Sequence, residues 1–268
     1  SWHASLVGKY WVEALADTPA DAELASEFRY RKPVIRATDV ILGVSQSGET
    51  ADTLAVLTDT KERGIHGLSI TNVRGSSIAR MSDHAFHTYA GPEIGVASTK
   101  AFTGQLALLF LIAGRLARES ALSDSTGAKM TALQELNRQL HEIPHWITRE
   151  LEEGCPTRAA IGDTVDGIHD SKGFFFVGRG TSYPLALEGA LKLKEIAYVH
   201  AEGYAAGELK HGPIAMLEKG FTVVVIAPRD AWYEKTVSNL QEVKARGATV
   251  VAIGNADDVD AVLPLCRQ

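Results

Sequence analysis

The sequence predicts an α/β protein made of two repeated, doubly wound parallel-sheet domains joined by a helical connector. Apolar runs of roughly five residues alternate with helical patterns along the whole chain. These runs are nearly continuous rather than alternating, as in strands buried on both faces. A stretch of about seventy residues then recurs farther along, in the same order, which marks an internal duplication.

The strands are expected at Val40–Val44, Gly67–Thr71, Phe174–Val177, Val223–Ile226 and Val250–Ile253, and the helices at Thr50–Arg63, Ser98–Arg118, Pro184–Tyr198 and Tyr233–Arg246. With a shift of 181, Ser1, Leu6, Gly8, Ala16, Ala20, Ala25 and Glu27 meet Ser182, Leu187, Gly189, Ala197, Ala201, Ala206 and Glu208. Two inserted residues later, Lys61, Arg63, Gly64, Ile70 and Asn72 meet Lys244, Arg246, Gly247, Ile253 and Asn255. The second copy begins with "GFFFVGRGTSYPLALEG", so a strand and turn are expected ahead of Ser1, and the chain reads as part of a longer protein. Between the copies, Leu133, Leu136, Leu140, Ile143 and Ile147 follow helical spacing, a connector expected to break at Pro144. The domains are therefore placed at 1–120, 121–165 and 166–268.

Composition removes several function classes. The 268 residues are 45% hydrophobic and 22% charged, with net charge −6 and no basic block of the kind a nucleic-acid partner calls for. The longest apolar run, Leu106–Ala113, is too short to span a bilayer, and no charged-then-apolar leader opens the chain. No membrane partner is expected. Cys155 and Cys266 lack metal-ligand spacing and suit a reducing, cytoplasmic setting.

"VILGVSQSGETADTL" runs a buried strand into Ser45, Gln46, Ser47, Gly48 and Thr50 before a helix. Such a turn is either a plain helix cap or a phosphate cradle, because a helix N-terminus offers unpaired N–H groups at its positive end. The equivalent turn of the second copy reads Ala227-Pro228-Arg229-Asp230, so the fold does not itself require hydroxyls there, which favours binding. No GxxxxGK[ST] motif and no strand-borne GxGxxG occur, so a sugar phosphate fits better than a nucleotide. Glu188, Lys192 and Glu195 share one face of a helix that is otherwise mostly apolar. They are a solvated salt-bridge stripe or, on a crevice, an acid–base group. His211 follows at a helix end, where pairing with the helix dipole is the alternative. In "PEIGVASTKAF", Ser98 and Thr99 are either caps or sugar contacts.

"SQSGETADTL", "EIGVASTKAF" and "EGALKLKEI" with "YAAGELKHGP" resemble the sugar isomerase (SIS) half of the glutamine–fructose-6-phosphate aminotransferases. The resemblance covers essentially the whole chain. It implies two five-stranded SIS domains, a homodimer, and fructose 6-phosphate and glucosamine 6-phosphate as ligands, with no cofactor and no metal. It places Ser1, Ser45, Gln46, Ser47 and Thr50 on the phosphate, with Val96 and Ser98 on the sugar. Glu195 becomes the base that moves a proton between C1 and C2, and His211 the ring-opening group, reaching across the dimer. Lys192 and Glu188 line the same site. The family's glutaminase domain and its tail lysine are not in this sequence and are expected elsewhere in the parent chain. A fructosamine-6-phosphate deglycase and a non-catalytic phosphosugar sensor are the rival readings.

Overall fold

The computed structural model describes residues 1–122, 124 and 126–255; Cys266 lies outside them. The chain forms two compact units, Ser1–Gln134 and Glu135–Gln268.

In the first unit, α1 (Trp2–Ala16) and a short α2 (Ala25–Phe28) precede β1 (Val40–Ser45), α3 (Ala51–Glu62) and β2 (His66–Thr71). Next come α4 (Ser77–Met81), β3 (His84–His87) and α5 (Lys100–Ala121). The strands form a parallel sheet in the order β1-β2-β3, with Ser45 opposite Thr71 and Thr71 opposite His87. Ala4, Ile70 and Leu109 make its core, with Trp11, Leu42, Val44 and Phe102 packed around them.

α5 has a stretch, Lys100–Glu119, long and apolar enough to cross a membrane by length and composition. Its packing gives the apolarity another use: Ala101, Gln105, Leu109, Ala113, Ala117 and Ala121 are all buried at steps of four, a stripe that winds slowly round the helix. Leu109 fits against Gly8 of α1, where a Cβ would come within 2.9 Å of its side chain.

α6 (Ala128–Leu151) spans the division between the units, and α7 (Pro156–Ile168) follows it. The expected break at Pro144 does not occur; α6 continues through it. A proline removes one rung of the hydrogen-bond ladder and crowds the carbonyl four residues back, which can kink a helix without ending it, and the apolar stripe runs on past it. The Thr148 hydroxyl donates to the Pro144 carbonyl, 2.8 Å away.

The second unit contains β4 (Gly173–Gly178), α8 (Ser182–Ala197), β5 (Ala201–Ala205), β6 (Phe221–Ala227), α9 (Tyr233–Ala245) and β7 (Thr249–Gly254). Its parallel sheet runs β5-β4-β6-β7 over a core of Phe175, Val177, Val223, Val225, Leu240 and Val243. α8 lies tight on β5: a Cβ on Gly203 would sit 2.7 Å from the Leu187 Cα.

All five strands read from the sequence are present within a residue or two. The sequence reading did not include β3 and β5, both at sheet edges. "HAFH" and "AEGYA" have no apolar run, and become strands by pairing with β2 and β4.

Candidate active site

β1 ends on buried Ser45, and the chain turns through residues 46–50 into α3. Thr50 occupies the N-cap position but makes no capping bond with its side chain. Its hydroxyl instead lies 2.8 Å from the Ser45 hydroxyl. Ser45 Oγ also accepts the buried Gly48 N–H at 3.1 Å, and Ser47 Oγ accepts the Glu49 N–H at 3.1 Å. The turn is thus folded around its own hydroxyls, at the carboxyl end of a parallel strand, where open α/β sheets bind ligands.

Two neighbours hold the turn in place. The Asn72 N–H, just beyond β2, donates to the Gln46 carbonyl at 3.0 Å, and the Ile78 N–H donates to the Gly48 carbonyl at 2.9 Å. Gly48 has φ +69°, and a Cβ there would lie 2.0 Å from Ser76 Oγ, so only glycine fits. Glu49 points out of the turn and accepts the Ser77 N–H at 2.8 Å. That contact with Ser77 holds the Glu49 carboxyl below the usual glutamate value.

Ser1 precedes α1 without capping it through its side chain, and its hydroxyl receives a 2.9 Å bond from Gln105 Nε2, itself buried in α5. Val96 is 92% exposed, on the loop before α5. Ser98, on the same loop, donates to Glu93 Oε2 at 3.4 Å, and this carboxylate also accepts the Ala101 N–H at 3.2 Å. Glu93 therefore accepts an N–H in the first turn of α5, next to Ser98 and Thr99, which the sequence left as either caps or sugar contacts.

In the second unit, Glu188, Lys192 and Glu195 do come together on α8. Lys192 Nζ lies 2.6 Å from Glu195 Oε2 and 3.3 Å from Glu188 Oε1. The three side chains are 30% exposed or less, so this is not a fully solvated stripe. Burial works against the charge on Lys192. The hydrogen bond to Glu195 and the charge of Glu188 outweigh it, so the ammonium holds its proton above the ordinary lysine value. His211 ends the 3-10 helix Ala206–His211 and is exposed, with Gly212 turning the chain at φ +133°. Among the described residues, no group of three or more His, Cys, Asp or Glu side chains is set to hold a metal ion.

Asn72 and Glu93 were not among the sequence candidates. Asn72 left one signal, since it matches Asn255 in the internal repeat. Glu93 left none, because it lies eight residues before the N–H it accepts and outside any capping-box spacing.

Parallel sheets with helices between the strands and a hydroxyl-built turn at a strand's carboxyl end define a class, the open parallel-sheet α/β proteins. The chain belongs to the SIS domain family, whose pattern matches residues 1–114 and 167–262. It is 51% identical over 253 residues to a glutamine–fructose-6-phosphate aminotransferase (isomerizing) of Brucella abortus, covering 94% of this chain and 40% of that one. The same enzyme name belongs to a relative from Methanosarcina acetivorans, 47% identical over 262 residues, with 97% of this chain and 41% of the relative covered. Among solved structures, the C-terminal domain of glucosamine-fructose-6-phosphate aminotransferase from Francisella tularensis is similar at a TM-score of 0.87 and 41% identity. The match covers 98% of this chain and 72% of that one. The chain spans about 40% of the length of these curated relatives.

Proposed function

We propose that this chain is the isomerase part of a glutamine–fructose-6-phosphate aminotransferase, acting in amino sugar biosynthesis. The parent would combine fructose 6-phosphate with ammonia from glutamine and release glucosamine 6-phosphate. The observation that carries this reading is the half-buried carboxylate–ammonium–carboxylate arrangement on α8, in a chain whose relatives carry that name. A stripe serving only as a solubilising surface has no need of that burial.

In this reading, Ser1, Ser45, Gln46, Ser47 and Thr50 hold the phosphate through hydroxyls and turn N–H groups, and Val96 and Ser98 touch the sugar. Anchoring the phosphate makes proton transfer at the far end of the sugar effectively intramolecular. Glu195 takes the proton from one of C1 and C2 and returns it to the other through an enediol-type intermediate. Lys192 keeps its charge and orients Glu195 through their 2.6 Å contact, while Glu188 positions Lys192. His211 assists ring opening, contributed by a second copy of the chain in a homodimer. A glutaminase domain belongs to the parent chain, and the setting is cytoplasmic. No cofactor is required, since a carboxylate, an acid and a phosphate anchor suffice for the step.

The reading includes two SIS domains, at 1–120 and 166–268, joined by a connector at 121–165. Their support is a shared local geometry. α1 ends on Asp17 at φ +52° and α8 ends on Tyr198 at φ +56°, two non-glycine residues in the left-handed region, 181 positions apart in sequence. β2 and β7 likewise begin at His66 and Thr249 and each precede an asparagine, Asn72 and Asn255.

Calorimetry tests the reading: fructose 6-phosphate against fructose, on this chain and on a Ser47→Ala/Thr50→Ala variant. Binding of the phosphorylated sugar alone, lost in the variant, is the expected result. Equal binding of both sugars, or an unchanged variant, would overturn it.

A further inference from the structure

The side chain of Asn72 makes three hydrogen bonds to one loop. Its Oδ1 accepts the Thr88 hydroxyl at 2.9 Å and the Ala90 N–H at 2.9 Å, and its Nδ2 donates to the Gly91 carbonyl at 2.7 Å. Between the two residues held by Oδ1, Tyr89 sits at φ +52°, a conformation that costs a non-glycine residue stability and persists only when its neighbours are held. Meanwhile the main-chain N–H of Asn72 donates to the Gln46 carbonyl, inside the hydroxyl turn. One residue therefore ties the turn after β1 to the start of the loop that carries Val96 and Ser98.

The far end of that loop is pinned by Glu93, through Ser98 and Ala101, and by Lys100 Nζ, which donates to the Pro92 carbonyl at 2.6 Å. Ile94 and Val96, between the pins, are each 92% exposed and pack on little. Their position rests on the pins rather than on a core. Asn255 follows β7 as Asn72 follows β2, yet its Oδ1 accepts the Arg229 N–H at 2.7 Å, in the turn after the neighbouring strand β6. In the first unit the backbone makes the bond to the turn, which leaves the amide to grip the loop.

We infer that Asn72 is a positioning residue for the sugar: it couples the phosphate turn to the Thr88–Ser98 loop and sets where Val96 and Ser98 meet the substrate. This deepens the proposed function and rests on it. An Asn72→Asp side chain keeps the two acceptor contacts but sets a carboxylate oxygen against the Gly91 carbonyl; Asn72→Ala removes all three bonds.

Two measurements on the full chain test this. The first is amide hydrogen exchange over residues 88–98; the second is calorimetric binding of inorganic phosphate and of fructose 6-phosphate. In Asn72→Ala, exchange is expected to rise across the whole loop. Fructose 6-phosphate affinity is expected to fall by about tenfold or more, while phosphate affinity stays within about twofold. Thr88→Val, which deletes one of the three bonds, is expected to fall between wild type and Asn72→Ala on both measures. Unchanged loop exchange in Asn72→Ala would overturn the coupling, and so would equal losses for phosphate and sugar phosphate. A wild-type chain that binds phosphate but gains nothing from the sugar would overturn the functional reading. The sugar-positioning role would fall with it, while the exchange result would still report the loop clamp itself.

Discussion

The Thr50 hydroxyl lies 2.8 Å from the Ser45 hydroxyl, across the turn from strand to helix, instead of over the first turn of the helix it precedes. A residue placed to cap therefore does not cap, and Ser45 joins the turn's hydroxyl to its buried Gly48 N–H. Ser45→Ala leaves that N–H without its partner and is expected to cost about 1–3 kcal/mol. Thr50→Val leaves the Ser45–Gly48 bond intact and should cost less. Urea unfolding of the two variants gives the order, and the reverse order would show that Thr50 supports the turn directly.

Gly48 faces two separate demands, a positive φ and contact with Ser76. Gly48→Ala is expected to lose about 2–4 kcal/mol, about half from the left-handed backbone and the rest from the clash. Adding Ser76→Gly should recover only the clash. A double-mutant cycle by chemical denaturation separates the parts, and full recovery would mean that the backbone term is small.

Gly203 and Gly162 make opposite cases. Gly203→Ala would drive a Cβ into the backbone of Leu187 and push α8, with Glu188, Lys192 and Glu195, off β5. The expected loss is about 1–3 kcal/mol. Gly162 lies within α7 with open space around it, so Gly162→Ala should stabilise by up to about 1 kcal/mol. Melting curves of both variants check the pair.

The raised Lys192 pKa makes an alkaline expectation. A lysine that holds its proton more tightly when folded contributes stability that is fully present below the ordinary value of 10.5 and is lost as pH rises through the folded value. Between about pH 8 and about pH 11, the urea midpoint of Lys192→Met should fall less than that of wild type. An equal fall in both would remove Lys192 from the linkage.

For the proposed reaction, Glu195→Gln keeps an oxygen for Lys192 to bond but removes the carboxylate assigned there as the base. Isomerisation by the parent enzyme is expected to fall about 10²–10⁴-fold, with fructose 6-phosphate binding little changed. Full turnover in that variant would remove Glu195 from the chemistry.

The sequence made the long parallel strands legible because a strand buried on both faces must be apolar throughout, as in "GFFFVG" and "TVVVIA". It showed the α8 cluster as well, since i, i+4 and i+7 fall on one face of any helix. β3 and β5 escaped because their sequences carry no strand signal of their own. Pro144 misled because the loss of one rung does not stop a helix whose stripe continues.

What the sequence determined by itself was periodic: which segments are strand or helix, and which side chains share a face. Only the tertiary structure decided what each polar group bonds. Thr50 turns back to Ser45, Glu93 accepts an N–H in the first turn of α5, and Asn72 ties the hydroxyl turn to the loop before α5. Hydrogen bonds form between groups that folding brings within about 3 Å, and local spacing along the chain carries no record of which distant group that will be.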